Sequence, residues 1–279
     1  MRAALFRVAL VLFVTLPPAG CTQTFFQPQR ALVATPEAFG LRYETLAPQA
    51  ADGVQLHGWF LPARGEAQAT VLFLHGNAEN VSTHVAAVAW MPAAGFNVLA
   101  LDYRGYGRSA GAPSLAGVQL DIDAALAALL ARRDVDARRI VLFGQSLGGA
   151  VALHYAAHGA RRASLRAVIA DSAFADYRRI VQEKLAGFAL TWPFQWLPAL
   201  TVDNDYAPRA SVKAIAPLPL LLIHGERDAI VPAHHARLLY ESAAEPKTLW
   251  MLPEAGHIEA LRDPALRARL SEFVRRAVQ

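Results

Sequence analysis

The segment Arg139–Ala150, RIVLFGQSLGGA, constrains the fold more than any other stretch of the chain. It predicts a buried strand over 140–143, then a tight turn, then the start of a helix. Glycines stand two residues before and two residues after Ser146, in a G-x-S-x-G pattern. Because glycine has no Cβ, it permits the close backbone contacts that a sharp strand-to-helix turn requires. Such a turn places the Ser146 hydroxyl and the Leu147 N–H at the amino end of a helix, where a developing negative charge is stabilised.

The composition excludes several classes of protein. With 279 residues, 54% hydrophobic and 18% charged, the chain can bury a large core and is not a disordered protein. The net charge of +4 falls by two if residues 1–20 are removed. Since no basic run is interleaved with aromatic residues, we expect no nucleic-acid partner. Cys21 is the only cysteine, which excludes an intrachain disulfide and a cysteine-based metal cluster.

The first 20 residues have the form of a secretory signal peptide, with arginines, an apolar run over 8–16 and a small-residue end. The apolar run is shorter than the roughly 20 residues that a membrane-spanning helix needs. The A-G-C ending at Cys21 resembles the lipobox of bacterial lipoproteins, in which the cysteine is acylated. Pro18 departs from that pattern, since leucine is usual there. The alternative is an ordinary cleaved signal with an incidental cysteine.

The lipobox resemblance implies where the protein is located. It predicts a signal peptide over 1–20 and a tether over 21–39. It also predicts an exported protein, attached to the membrane through lipidated Cys21, on the outer membrane or the periplasmic face of the cell envelope. In that family, Thr22 rather than aspartate after the cysteine indicates sorting to the outer membrane.

From residue 40 to residue 279, strand-like and helix-like patterns alternate, which predicts one α/β domain with a mainly parallel central sheet and helices on both faces. An Asp-Gly turn at 52–53 predicts a hairpin over 41–61. The further predicted strands are 70–74, 97–101, 140–143, 167–169, 218–223 and 248–252. The predicted helices are 81–94, 118–133, 147–158, 233–242 and 264–277. The pattern breaks over 174–216, which is irregular and rich in aromatic residues and proline.

A serine hydroxyl is a poor nucleophile unless a base removes its proton and an acid orients that base. Functional groups of parallel sheets gather at the carboxyl ends of the strands. Two such groups follow Ser146: Asp228, in the loop after LLIHG, and His257, in the glycine-preceded loop after the last predicted strand. Asp171 also ends a strand and is the alternative acid. His154 and His158 stand four residues apart but lack the intervening glutamate of a zinc motif, so we expect no metal site.

At these residues the chain resembles the alpha/beta-hydrolase superfamily, in which serine, acid and histidine follow in this chain order. The motifs that carry the resemblance are HGN at 75–77, the loop at 102–109, GQSLG at 144–148, HGERD at 224–228 and GH at 256–257. The loop at 75–77 reads HGN, whereas many lipases have HGGG there. In this respect the chain is similar to the short-lid hydrolases, which include protein depalmitoylases and serine aminopeptidase-like proteins. The resemblance covers about residues 40–278 and implies a small lid over 174–216.

The resemblance also implies a role for each site residue. Ser146 is the nucleophile, His257 the general base and then the general acid, and Asp228 the group that orients His257. The backbone N–H groups of Asn77 and Leu147 form the oxyanion hole.

The expected activity is cleavage of a carboxylic ester or thioester, on a small-molecule or acyl substrate, through an acyl-enzyme and without a cofactor. A peptidase or amidase using the same residues is one alternative. A catalytically silent envelope binding protein is another, although such a descendant usually loses a member of the triad. Lid aromatics could line an apolar approach to Ser146 or could pack the lid onto the core.

Overall fold

A computed structural model describes residues 25–279, in which eight strands form one sheet in the order β8-β7-β6-β5-β3-β4-β2-β1. The strands are β1 (Glu44–Leu46), β2 (His57–Leu61), β3 (Ala69–Leu74), β4 (Phe96–Asp102), β5 (Ile140–Gln145), β6 (Leu165–Asp171), β7 (Leu220–Gly225) and β8 (Lys247–Leu252). Strand β2 is antiparallel to both of its neighbours, and the remaining pairs are parallel. The expected architecture, a mainly parallel central sheet, is confirmed.

The core lies on both faces of this sheet because the central strands are buried along their whole length. Leu72 of β3 pairs in register with Leu142 of β5, and both side chains face one layer of the core. The next residues, Phe73 and Phe143, face the opposite layer, with ring centroids 5.4 Å apart. This alternation follows from the period-2 geometry of a strand that is covered on both sides.

Helices cover the two faces. The α-helices are α1 (Val81–His84), α2 (Leu115–Leu130), α3 (Leu147–His158), α4 (Tyr177–Ala186), α5 (Pro198–Thr201), α6 (Pro208–Ser211), α7 (His234–Ser242) and α8 (Pro264–Ala277). Short 3₁₀ segments occupy Pro36–Phe39, Val85–Ala87, Pro92–Ala94, Arg162–Ser164, Trp192–Phe194, Val212–Ile215 and Ala260–Arg262. Buried residues of α2, α3 and α7 belong to one core layer, and those of α1 and α8 to the other.

The helix predicted over 81–94 is wrong in its length. Only α1 is α-helical, and the rest of the segment is divided into two 3₁₀ turns. Pro92 has no N–H to donate to the preceding turn, and β-branched residues reduce helix propensity earlier in the segment.

The segment predicted as a lid, 174–216, holds three α-helices, α4, α5 and α6, rather than wholly irregular chain. The Asp176 side chain caps α4 by accepting a hydrogen bond from the Arg179 N–H at 2.9 Å. Tyr177 and Ile180 form the buried face of that helix. The segment therefore has its own secondary structure, placed between β6 and β7.

The described part of the segment predicted as a tether is attached to the domain. Gln27–Pro28 pairs in parallel with Ala78–Glu79, and the Asn80 side chain donates to the carbonyls of Gln29 and Ala31. The predicted signal peptide and Cys21 lie outside the described residues. Within residues 25–279, none of the helices combines the length and the apolar character that crossing a membrane would require.

Candidate active site

Ser146 sits at a strained turn between β5 and α3. Its backbone has φ 53° and ψ −117°, in the left-handed half of conformational space that non-glycine residues rarely adopt. A Cβ at Gly144 would lie 2.1 Å from the Gly148 carbonyl oxygen, and one at Gly148 would lie 2.1 Å from the Leu74 carbonyl oxygen. Only glycine fits at either position. The G-x-S-x-G spacing therefore follows from the contact of α3 with the ends of β3 and β5.

Asp228 and His257 are in direct contact. Their Oδ2 and Nδ1 atoms are 2.7 Å apart. The other carboxylate oxygen of Asp228 accepts hydrogen bonds from the N–H groups of Ile230 and Val231, at 2.8 Å each. Burial raises the pKa of Asp228, but the hydrogen bonds from His257 and Val231 outweigh it and leave that pKa below its ordinary value. The carboxylate is therefore ionised at neutral pH and holds Nδ1 of His257 as the donor.

Two close backbone contacts bring the loops of Asp228 and His257 together. A Cβ at Gly225, the last residue of β7, would lie 2.2 Å from the Ala255 carbonyl oxygen. The Arg227 N–H of the acid loop donates to the same Ala255 carbonyl at 3.1 Å. The acid loop and the histidine loop thus pack directly against each other at the carboxyl ends of β7 and β8.

The nucleophile turn and the histidine loop are tied to adjacent residues. The Ser146 N–H donates to the Asp171 carbonyl at 2.8 Å, while the next residue, Ser172, accepts from the histidine loop. Within residues 25–279, no hydrogen bond joins the Ser146 hydroxyl to His257. Such contacts are often long before a substrate binds and shorten in the complex. The structure therefore brings Asp228 and His257 together and places Ser146 on the same edge of the sheet.

Asp171, the alternative acid, makes its side-chain hydrogen bonds to groups other than His257. Its carboxylate is buried and accepts from the Gln145 side chain at 2.9 Å and from the Ser172 hydroxyl at 3.2 Å. Burial raises its pKa to about 6. The carboxylate contact of His257 is with Asp228. Asp171 supports the turn that carries Ser146 through its backbone carbonyl.

The HGN loop reaches the nucleophile turn. A Cβ at Gly76 would be 3.7 Å from the Ser146 Cβ, so the two backbones are close neighbours. The Tyr106 hydroxyl donates to the Asn77 carbonyl at 2.6 Å, and the Gln27 N–H donates to the Asn77 side-chain oxygen at 2.9 Å. These bonds hold Asn77 on its carbonyl and side-chain sides, and its N–H, on the preceding peptide, is the predicted donor to a substrate oxygen.

Two backbone N–H groups next to the nucleophile turn and in the HGN loop have no protein acceptor among the described residues. In the part of the chain that the structure describes, neither the Asn77 N–H nor the Leu147 N–H donates to another protein group. Leu147 is the first residue of α3, where backbone N–H groups have no partner inside the helix and carry the positive end of its dipole. Both are therefore available to a ligand oxygen.

A second aspartate–histidine cluster, which the sequence analysis did not predict, supports the HGN loop. Asp102 at the end of β4 accepts from His57 Nδ1 and from the Val81 N–H, each at 2.8 Å. The oxygen that accepts from Val81, Oδ1, is also 3.6 Å from His75 Nε2. The Tyr103 hydroxyl donates to the His75 carbonyl at 2.9 Å. His75 is thus part of a buried scaffold. The sequence signal for this cluster is Gly107, where a Cβ would be 2.1 Å from the Asp102 carboxylate.

One further cluster has the side chains of a metal site but not the hydrogen-bond pattern. Ligand atoms of Glu183, His234 and His235 lie within 4.8 Å of one another. His235 Nδ1 accepts the Ala175 N–H at 3.1 Å, so its proton is on Nε2, which contacts Glu183 at 3.0 Å. Binding of a metal to that Nε2 would require a fully deprotonated imidazole. The cluster instead links α4 to α7 by hydrogen bonds.

Comparisons with known proteins show which family the chain resembles. A family model described as serine aminopeptidase, S33, matches residues 65–216. The chain is 40% identical to the uncharacterized protein YfhR of Escherichia coli K12 over 224 residues, covering 79% of this chain and 75% of that protein. It is 36% identical to the alpha/beta hydrolase domain-containing protein WAV2 of Arabidopsis thaliana over 223 residues, covering 75% and 70%.

The fold has solved counterparts. The esterase Pf2001 of Pyrococcus furiosus superposes with a TM-score of 0.71 at 23% identity, over 91% of this chain and 98% of that one. At this identity the likeness is one of fold. Because the family model covers more than half of the chain and the YfhR match covers more than two thirds of both sequences, the protein belongs to the alpha/beta-hydrolase family described as serine aminopeptidase, S33.

Proposed function

We propose that this protein is a serine hydrolase that cleaves carboxylic ester or thioester bonds through an acyl-enzyme. The observation that carries the proposal is the strained φ of 53° at Ser146, held by two glycines on the sheet edge that also holds the Asp228–His257 pair. Backbone strain of this kind costs about 1–3 kcal/mol and persists where the surrounding structure imposes it. In the proposed mechanism this turn presents the Ser146 hydroxyl as the nucleophile.

The chemistry proceeds in two halves. His257 Nε2 takes the Ser146 proton as the oxygen attacks the carbonyl carbon, while Asp228 stabilises the imidazolium that forms. The backbone N–H groups of Asn77 and Leu147 stabilise the oxyanion, at about 3 kcal/mol for each such donor. His257 then protonates the departing alcohol or thiol. A water molecule, deprotonated by the same histidine, hydrolyses the acyl-enzyme and restores Ser146.

Fluorophosphonate labelling tests the nucleophile. We expect the wild type to be labelled and Ser146→Ala to remain unlabelled. Ser172→Ala is the matched control, because Ser172 is a nearby serine that also has a left-handed φ, here 55°. Labelling that persists in Ser146→Ala would contradict the assignment. An unlabelled wild type would favour the alternative of a catalytically silent binding protein.

The family description as a serine aminopeptidase supports a second candidate activity on the same residues, peptide or amide cleavage. The triad does not distinguish the two, because the acyl-enzyme step is common to both. A chain-length series of p-nitrophenyl acyl esters, assayed beside aminoacyl anilides, separates them. We expect the esters to have the higher kcat/KM. Faster cleavage of the anilides would assign the protein to the peptidases.

We also propose that the protein is exported and anchored through acylated Cys21. The support is the sequence of residues 1–21. Metabolic labelling with a fatty-acid analogue should mark the wild type and not Cys21→Ala. Equal labelling of the two, or none in either, would contradict the anchor without affecting the hydrolase proposal.

A further inference from the structure

The lid carries an exposed apolar surface. Residues 187–202 contain no charged side chain. Of the ten large apolar side chains that are exposed within residues 25–279, six lie in this stretch. We call them the lid patch: Phe188, Leu190, Trp192, Phe194, Trp196 and Leu200. Contiguous apolar surface on a soluble protein marks a site of interaction with another surface.

The lid patch is not the inner lining of the lid. Its four aromatic side chains are 51–68% exposed, so they do not pack the lid onto the core. The backbone around them is fixed by turns: the N–H groups of Thr191 and Trp192 both donate to the Phe188 carbonyl, and the Thr191 hydroxyl donates to the Leu185 carbonyl at 2.7 Å. The segment therefore holds its aromatic rings outward.

A cavity of about 600 Å³ adjoins the lid patch, and Gln195 and Ala199 of the same segment line it. Arg178 and Arg209 also line it. Among the ion pairs of residues 25–279, neither of these arginines has an acidic partner. Each uses only its Nε, toward the Val202 carbonyl and the Ser242 hydroxyl respectively. Their terminal guanidinium nitrogens are therefore available to an external anion.

The acidic groups of the same cavity are already engaged. The Asp176 carboxylate accepts from the Arg179 N–H and from the Asn204 side chain. Glu183 pairs with Arg179 at 2.8 Å and contacts the two histidines of α7. The charged side chains that line the cavity are three arginines and two carboxylates, which leaves one net positive charge, complementary to phosphate.

The described chain begins beside the lid. The Phe25 ring lies 5.0 Å from the Tyr177 ring and 6.1 Å from the Phe174 ring, at the start of the lid segment. Cys21 precedes Phe25 by four residues, a separation that cannot exceed about 14 Å in an extended chain. A lipid attached at Cys21 would thus enter a membrane close to the lid.

We propose that the lid patch docks onto an anionic phospholipid bilayer, with its tryptophans at the level of the headgroups and with Arg178 and Arg209 facing lipid phosphates. Tryptophan is enriched at membrane interfaces because its ring is apolar and its N–H is polar. Aromatic and aliphatic side chains supply the apolar contact, and unpaired arginines add attraction to anionic lipid. The proposal requires neither the hydrolase activity nor acylation of Cys21.

Vesicle sedimentation tests the docking. The protein is produced from Thr22 onward, which retains every described residue and lacks the anchor. We expect it to sediment with vesicles of equal phosphatidylglycerol and phosphatidylcholine. The triple variant Trp192→Ala, Phe194→Ala, Trp196→Ala should bind at least tenfold more weakly at an unchanged Tm. Phe39→Ala, which removes an aromatic ring that is exposed elsewhere, should bind like the wild type.

Two further measurements identify the contact. Trp192→Phe with Trp196→Phe should still sediment but should lose the blue shift of tryptophan emission that vesicles cause in the wild type. Arg178→Gln with Arg209→Gln should weaken binding severalfold on phosphatidylglycerol vesicles, leave any binding to phosphatidylcholine unchanged and flatten the salt dependence.

Three outcomes would overturn the proposal. They are a wild type that stays in the supernatant with these vesicles, a triple variant that binds like the wild type, and a wild-type dimer in vesicle-free buffer that the triple variant converts to monomer. The last would assign the lid patch to a second copy of the chain. Ser146→Ala should bind vesicles like the wild type, so a failure of labelling and a failure of docking remain distinguishable.

Discussion

Two aspartate–histidine pairs of nearly equal geometry lie at the same edge of the sheet. His57 Nδ1 is 2.8 Å from Asp102 Oδ2, and His257 Nδ1 is 2.7 Å from Asp228 Oδ2. In the first pair both side chains are buried, at 5% and 0% exposure, and His57 Nε2 has no partner within the described part of the chain. In the second, the His257 side chain is 14% exposed and shares its edge with the Ser146 turn.

The difference shows that the pair itself does not define a catalytic site. In both places a carboxylate orients an imidazole. Only the loop of His257 is hydrogen-bonded to Ser172, which follows Asp171, the residue whose carbonyl accepts from the Ser146 N–H. Asp102 uses its oxygens on His57 and on the Val81 N–H, which joins β2, β4 and α1. We therefore assign the Asp102 pair to stability and propose the Asp228 pair for catalysis.

Loss of the nucleophile should have the largest effect. Ser146→Ala is expected to lower kcat by about 10⁴-fold or more, because no acyl-enzyme can form and only binding and oxyanion stabilisation remain. Steady-state hydrolysis of a p-nitrophenyl ester measures it. Ser172→Ala should change kcat by less than about tenfold, since it removes only two supporting hydrogen bonds, one from the Ile258 N–H and one to the Asp171 carboxylate. Comparable losses in both variants would remove the distinction between the two serines.

Replacement of each carboxylate by its amide compares the two pairs directly. Asp228→Asn should lower kcat by about 10³ to 10⁴-fold, because the imidazole loses its charged partner and its correct tautomer. Its free energy of unfolding should change by about 1 kcal/mol or less, since the amide oxygen can still accept from the backbone.

Asp102→Asn should show the reverse pattern. We expect a loss of about 2 kcal/mol in the free energy of unfolding and a change in kcat of less than about tenfold, because buried charge-assisted hydrogen bonds are lost while Ser146 and the Asp228–His257 pair are unchanged. Urea unfolding and ester hydrolysis, measured on both variants, give the comparison. Equal effects of the two substitutions on kcat would show that the two pairs are not functionally distinct.

The HGN loop connects the two regions and should show an intermediate effect. Tyr106→Phe removes the 2.6 Å hydrogen bond to the Asn77 carbonyl. A less firmly held oxyanion donor should lower kcat by about fivefold to tenfold with little change in KM. The readout is the size of the change in kcat compared with the size of the change in KM. A change confined to KM would indicate that Tyr106 contributes to substrate binding instead.

Acidification should lower the stability of the fold. Burial, aided by nearby His84, lowers the pKa of His75 to about 4, and burial likewise lowers the pKa of His235 to about 4. These histidines are neutral when folded and protonate near pH 6.5 when unfolded, so their stabilising contribution is complete above pH 6.5 and is lost as the pH falls toward 4.

Asp171 acts in the opposite direction. Burial raises its pKa to about 6, so it favours the folded state increasingly as the pH falls below 6. Burial also lowers the pKa of His154 to about 4. With three such histidines against one carboxyl, we expect a net loss of about 2–4 kcal/mol in the free energy of unfolding between pH 7 and pH 5. Urea titrations at pH 7, 6 and 5 measure this. Stability that rises over the same range would contradict the assignment of buried neutral histidines.

The sheet was predictable from the sequence because its central strands are continuous apolar runs, and the Ser146 turn because its glycines have no sterically possible replacement. The His57–Asp102 pair was not, because its members are 45 residues apart and meet only through the antiparallel register of β2 and β4. A contact between residues so far apart in the chain produces no local periodicity in the sequence.

The attachment of the amino-terminal segment to the domain could not be predicted from the sequence either. Residues 25–33 have no apolar period, and they bind the domain through backbone groups such as the Gln27 N–H and the Gln29 carbonyl. Backbone groups are the same at every residue, so their partners leave no trace in composition. The lid helix α4 was missed because its buried face is only one tyrosine and one isoleucine wide.

The most direct test of the account is to trap the covalent intermediate with an ester substrate. The enzyme is mixed with a p-nitrophenyl acyl ester, quenched in acid within the first turnover and mapped by mass spectrometry. We predict a single acyl group on the peptide that contains Ser146, increased in amount in Asp228→Asn if deacylation is slowed more than acylation. Acylation of any other residue, or turnover without an acylated peptide in either protein, would contradict a serine hydrolase centred on Ser146.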